Sequence, residues 1–190
     1  MLRLSCTERS MADRLSLPHI NPAQHLSDMD KRTQQNSDTF DSTCIFCGIV
    51  AGDSPASVIY SDEMVTAFMD IKPVRPGQCM VVPNRHVDHF TDLDDRTAAH
   101  IFAIGMQIGR HMQKVFAPER VGMVVHGYGV HHAHLLIVPQ HASDDITSGR
   151  FGRVEGGKII FDQRNIPLTS RTLLDEQAGL LSSFAGEQLS

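Results

Sequence analysis

Apolar residues from Thr43 onward fall into short runs with two periods, and those periods predict the elements of the fold. Ser42 or Thr43 can cap a short helix over 44–51, which Gly52 ends. Ala56 to Tyr60 and Met64 to Met69 are two apolar runs divided by Ser61-Asp62-Glu63, which reads as a hairpin. Pro73 and Pro76-Gly77 punctuate a loop before a strand at 78–82. Thr91-Asp92-Leu93-Asp94-Asp95 then supplies carboxylates where a helix N-terminus wants them. Ile101, Ile104, Ile108, Met112 and Val115 follow at helical spacing until Pro118. Val121 to Val125 and His132 to Val138 form a second strand pair around Gly127-Tyr128-Gly129. A loose region over 142–157 holds a Gly156-Gly157 turn, and a last helix is predicted over 172–184. The order predicts an α+β domain: an antiparallel β-sheet of about five strands with a long helix packed on it.

Upstream the pattern fails. Ser27 to Ser42 is almost wholly polar and cannot bury enough apolar area to order itself. The expected organisation is a disordered leader over 1–42, with Met11 and Met29 as alternative starts, and a folded domain over 43–142. An extension over 143–190 then completes the domain with a loop and a helix.

Within the second strand pair, His132-Ala133-His134-Leu135-Leu136 alternates, so His132, His134 and Leu136 are expected to share one face. Two neighbouring imidazoles can bind a metal, relay a proton or attack phosphorus. Three readings therefore stay open beside a plain hydrogen-bonded pair: zinc ligands, a nucleophile with its support, or both.

Composition narrows the class. The chain has 190 residues, is 41% hydrophobic and 21% charged, and carries a formal charge of −5, which suits one globular domain with a tail. Lysine and arginine are scattered, so no nucleic-acid surface is expected, and no apolar run approaches the length of a membrane span. The opening MLRLSCTERS lacks a sustained apolar core and a small-residue cleavage pattern, so a cytoplasmic location is expected. Of the cysteines at 6, 44, 47 and 79, only Cys44 and Cys47 form a C-x-x-C pair, which reads as metal-binding or redox. Cys79, in an apolar run, reads as a small buried hydrophobe.

Zinc needs about four ligands. No second C-x-x-C exists, so histidines must complete the set, from among His86, His89, His126, His131, His132, His134 and His141. Phe68-Met69-Asp70-Ile71 adds a carboxylate at a strand end, which can accept ribose hydroxyls or cap a turn. Ile45, Phe46 and Ile49 can flank a base or simply pack a core.

Together these residues resemble the histidine-triad nucleotide-binding family. The match runs from Cys44-Ile45-Phe46-Cys47 through Phe68-Met69-Asp70-Ile71 and Val82-Pro83-Asn84-Arg85-His86 to His132-Ala133-His134 and Pro139. The family signature is His-φ-His-φ-His-φ-φ, φ being apolar; anchored on Pro139, it sets His132 first, His134 second and Leu136 in place of the third histidine. The resemblance implies that His134 attacks the α-phosphorus of a purine nucleotide conjugate (a phosphoramidate, an adenylate or a dinucleoside polyphosphate) to form a nucleotidyl-histidine. It implies that Asp70 holds the ribose and that Ile45, Phe46, Ile49, Phe68 and Ile71 enclose the base. It further implies a structural zinc ion on Cys44, Cys47, His86 and His132, and a homodimer. His126 stands where an amide residue often sits, so a phosphate contact falls to it. His131 is expected to face the other way. Leucine donates no hydrogen bond, so the alternative is a zinc-stabilised nucleotide-binding or interaction protein with lost or weak catalysis.

Overall fold

The computed structural model describes residues 40–125, 127–147, 149–161 and 165–183. Residues 1–39 of the predicted leader, with Cys6, and His126 lie outside these residues. A short helix, α1 (Ile45–Ala51), is followed by β1 (Val58–Ser61), β2 (Val65–Met69) and β3 (Cys79–Pro83). The long helix α2 (Asp95–Phe116) leads into β4 (Arg120–Val125) and β5 (Leu135–Gln140). A hairpin of β6 (Gly152–Glu155) and β7 (Lys158–Phe161) and a helix, α3 (Arg171–Ser182), complete the order. β1 to β5 form one antiparallel sheet in the order β1-β2-β3-β5-β4, the α+β architecture expected.

Alternation along the strands sorts side chains onto two faces. Val65, Ala67, Cys79, Val81, Leu135 and Ile137 face one way and form the main core with Ile101, Ile104, Ile108 and Met112 of α2. Leu174, Ala178 and Leu181 of α3 join that core. Phe68, Met80, Val82, Leu136 and Val138 face the other way and pack on Phe46 of α1. Strands buried on both faces read as apolar runs, as β3 does and as β2 does apart from Thr66.

Two glycines set the distance between α2 and the sheet. A Cβ on Gly105 would come within 2.9 Å of the Leu135 side chain, and one on Gly109 within 3.3 Å of Val121. α2 thus lies closer to β4 and β5 than any larger residue would allow. Its N-cap is Asp94, whose carboxylate accepts from the Thr97 amide at 2.9 Å and from Arg85 at 3.1 Å.

Several boundaries differ from the sequence pattern. α1 is not capped by Ser42 or Thr43: Cys44 takes the N-cap position with no side-chain capping bond, while Thr43 turns back to Asp41. Gly52 does end it, at φ 81°. β5 begins at Leu135 rather than at His132, because its ladder to β3 starts at the Val81–Leu135 pair. Before that point the chain bonds elsewhere, the Ala133 amide donating to the Val87 carbonyl at 2.6 Å. The region expected to be loose contains the β6–β7 hairpin, turning on Gly156 and Gly157 at φ 57° and 76°. Among the described residues, no helix is long and apolar enough to cross a membrane.

The β1–β2 turn is built around Asp62. Its carboxylate accepts from the amides of Met64 and Val65, from Tyr60 Oη at 2.8 Å, and lies 2.6 Å from His100 Nε2 on α2. Burial would raise the Asp62 pKa, but the His100 bond and these donors outweigh it and hold the group at about 2. The folded value lies below the ordinary 3.8, so the stability Asp62 contributes is complete above pH 3.8 and is lost as pH falls from there through about 2. Asp62→Asn should therefore be less stable than wild type at pH 6, with the difference shrinking towards pH 2.5 in urea titrations. A difference that stays constant across that range would refute the assignment.

Candidate functional site

Two adjoining sites meet at the stretch before β5. The first gathers four side chains from three places in the chain. Cys44 and Cys47 stand at the start of α1, His86 lies just beyond β3, and His132 lies just before β5. Their ligand atoms all lie within 4.8 Å of one another. Cys47 Sγ is 3.3 Å from His86 Nδ1 and 3.6 Å from His132 Nδ1, and Cys44 Sγ is 3.5 Å from His132 Nδ1. In a tetrahedron with ordinary zinc–sulfur and zinc–nitrogen bonds, the sulfur–nitrogen edge is about 3.6 Å. The cluster therefore fits an ion of that kind without rearrangement.

The surroundings favour the same use. His132 Nε2 lies 2.9 Å from the Pro83 carbonyl, which can only accept, so the proton sits on Nε2 and Nδ1 keeps its lone pair towards the thiols. Burial, reinforced by the neighbouring His86, lowers the His132 pKa to about 4, so the ring is neutral near pH 7. Burial also pushes the Cys47 thiol up, so a thiolate there needs an adjacent cation. Among the described residues, the candidates His89, His131, His134 and His141 are not part of the cluster. His89 and His131 are exposed beside Asp88, and His141 is exposed on its own loop.

The second site is a cavity of about 440 Å³ on the sheet face away from α2. Ile45, Phe46, Ile49, Phe68, Asp70 and Ile71 all line it, together with His134 and Leu136. Sequence reasoning had grouped these residues, and the fold brings them to one wall. Phe46 links the two sites, with its ring centroid 5.5 Å from that of His134 and 5.8 Å from that of His132. His132, His134 and Leu136 thus lie on one side of the chain, as alternation predicts, although only Leu136 is inside the paired strand.

His134 has a defined orientation. Its Nδ1 is 2.7 Å from the carbonyl of His132, an acceptor only, so Nδ1 carries the proton and the neutral ring has its lone pair on Nε2. Asp70 is equally fixed. One carboxylate oxygen accepts from the Lys72 amide at 2.8 Å and the other from Gln78 Nε2 at 2.7 Å. Gln78 is buried and its own oxygen accepts from the Val74 amide, which settles the amide orientation. Leu136 is 8% exposed within the apolar cluster of Phe46, Phe68, Met80 and Val138.

Sequence reasoning missed part of the lining. Lys72, Gln78, Ile146, Ile166 and Arg171 also line the cavity. Asp145, fully buried, accepts from Arg75 Nε at 2.8 Å and from the amides of His141 and Ala142, pinning the chain after β5 against the loop before β3. None of these positions has a local pattern; distant segments meet only in the fold.

With this geometry in view, comparison with known proteins is decisive. A family model described as the HIT domain matches residues 51–143. A "Protein hit" from Bacillus subtilis is 34% identical over 107 residues, which is 54% of this chain and 74% of that protein. The chain belongs to the HIT family. An uncharacterised HIT-like protein of Methanocaldococcus jannaschii is 34% identical over 117 residues, 59% of this chain and 89% of that one. Among solved structures, a zinc-bound histidine triad family protein from Mycobacterium smegmatis is 26% identical with a TM-score of 0.58, covering 77% of this chain and 95% of that one. The matched family segment starts after Cys44 and Cys47, so in this chain the HIT domain proper supplies two members of the cluster and α1 the other two.

Cobalt(II) added to the full chain should give the intense thiolate charge-transfer and visible bands of a tetrahedral Cys2His2 site, with a stoichiometry near one. Cys47→Ser should abolish the tetrahedral signature. Octahedral spectra from the wild-type protein would rule the cluster out as a metal site.

Proposed function

We propose that this HIT-family chain binds a purine nucleotide conjugate in the cavity and cleaves it at the α-phosphorus through a nucleotidyl-histidine on His134. The single observation that carries the reading is the 2.7 Å bond from His134 Nδ1 to the His132 carbonyl, beside an apolar cavity. That bond fixes the tautomer whose Nε2 can attack. In the step itself, Nε2 bonds to phosphorus while the bond from phosphorus to the leaving oxygen or nitrogen breaks with its electron pair. Water then attacks phosphorus, regenerates neutral His134 and releases the nucleoside monophosphate. Phosphoramidates, adenylates and dinucleoside polyphosphates all fit this scheme.

The other residues divide the work of binding. Ile45, Phe46, Ile49, Phe68 and Ile71 offer apolar surface to the base. Asp70 uses one lone pair on each oxygen within the protein, leaving others for the ribose hydroxyls. Zinc on Cys44, Cys47, His86 and His132 would be a closed, structural centre with no open position for substrate. Its ligand His132 also supplies the carbonyl that orients His134, so the cluster holds the nucleophile in place.

A second reading rests on Leu136. At the place that the family signature gives to the third histidine, it sits in an apolar cluster and donates nothing to a leaving group. Loss of one such donor costs roughly a hundred-fold in rate. On this reading the chain is a zinc-stabilised nucleotide-binding or interaction protein.

Intact-protein mass spectrometry after mixing with a panel of adenylated phosphoramidates, mixed anhydrides and dinucleoside polyphosphates separates the two. A nucleotidyl adduct is expected on the wild-type protein and not on His134→Ala. If no adduct forms and no compound turns over at high enzyme concentration, the catalytic reading fails. Leu136→His should raise turnover on the order of ten-fold or more. No gain from that change would mean that another group already assists the leaving group.

A further inference from the structure

The cavity has a second polar end, far from His134, formed by the segment that returns to it after the β6–β7 hairpin. Ile166 is buried in the cavity wall, and the Thr169 amide donates to the Ile71 carbonyl at 3.0 Å. This bond brings the first residue of α3, Arg171, to the rim beside Pro55 and Ile71. Its Nη2 donates to the Pro55 carbonyl at 3.1 Å and its Nη1 to Ser57 Oγ at 3.0 Å. The Ser57 hydroxyl in turn donates to Asp175 at 2.5 Å, one turn further along α3. The guanidinium is therefore held in place before any ligand arrives, with donors to spare among its five N–H groups.

Strand order sets the two ends apart. Ser57 immediately precedes β1 and His134 immediately precedes β5, and β2 and β3 lie between these strands. Three inter-strand steps therefore separate the two ends across the sheet, roughly 14 Å in that direction. Apolar cavity walls with a group at the rim that only donates suit a flat ring whose far edge only accepts. Guanine and hypoxanthine present O6 and N7 there, whereas adenine sets its N6 amino donor beside N7.

We propose that Arg171 is a specificity-determining residue that reads the base edge and makes the cavity prefer 6-oxopurine nucleotides to adenine nucleotides. The inference rests on the nucleotide reading of the cavity given above. A guanidinium facing an amino group leaves both without acceptors, which penalises adenine as well as favouring guanine.

Calorimetric titration of the full chain with GMP, IMP and AMP under one set of conditions tests it. GMP and IMP are expected to bind alike and roughly ten-fold or more tightly than AMP. Arg171→Ala should bring the ratio of the AMP and GMP dissociation constants towards one. Arg171→Lys keeps the charge but not the planar fork, and should do the same. Equal binding of the three nucleotides by the wild-type protein overturns the inference alone, as does a preference that survives in both variants. Binding of none overturns the nucleotide reading and the inference with it.

Discussion

Everything at the functional face depends on how the stretch His132-Ala133-His134 is held before it becomes a strand. Its side chain at 132 is fixed from both ring nitrogens, by the Pro83 carbonyl on one side and the two thiols on the other. Its backbone is fixed by the Ala133 amide on Val87. Its carbonyl then holds the ring of His134. The non-local contacts come from two distant segments, around 44–47 and 83–87, so the geometry of His134 depends on their assembly. A ring held in this way loses little entropy when it meets a substrate, which is the setting that attack on phosphorus requires.

The division of the sheet into two faces explains why such a site can sit on so small a scaffold. One face takes α2 and α3 and carries the main core, with Gly105 and Gly109 letting the long helix approach closely. That leaves the second face only partly covered, by α1 and the chain after β5, and the gap is the cavity. Burial on the first face supplies the stability that lets polar groups such as Asp70, Gln78 and His134 stand on the second. Those groups are bonded within the protein, so the cavity keeps its shape by hydrogen bonds and not by packing alone.

Membership of the HIT family and the proposed chemistry bear on different parts of this structure. The family match covers the sheet, the long helix and the histidine stretch. Ile166 and Arg171, which also line the cavity, lie beyond it. Leu136 sits between, well packed and apolar, so the wall beside His134 is smoother than a set of three histidines would make it.

Period and spacing by themselves determined a good deal. Apolar alternation gave the strands, the Ile101, Ile104, Ile108 and Met112 stripe gave α2, and Asp94 marked its start, because local periodicity decides which face of an element is buried. The same alternation put His132, His134 and Leu136 on one side, and the motifs that resembled a family named the four cluster residues and the residues on one wall of the cavity. Tertiary structure alone decided the rest. The ladder of β5 starts at Leu135 because a backbone donor at 133 found Val87, a partner chosen by the fold and not by propensity. The β6–β7 hairpin was missed because its strands are short and solvent-facing, with little apolar alternation to mark them. Arg171 met Pro55 and Ser57 across more than a hundred residues, and no local pattern can encode a contact whose two halves are read so far apart.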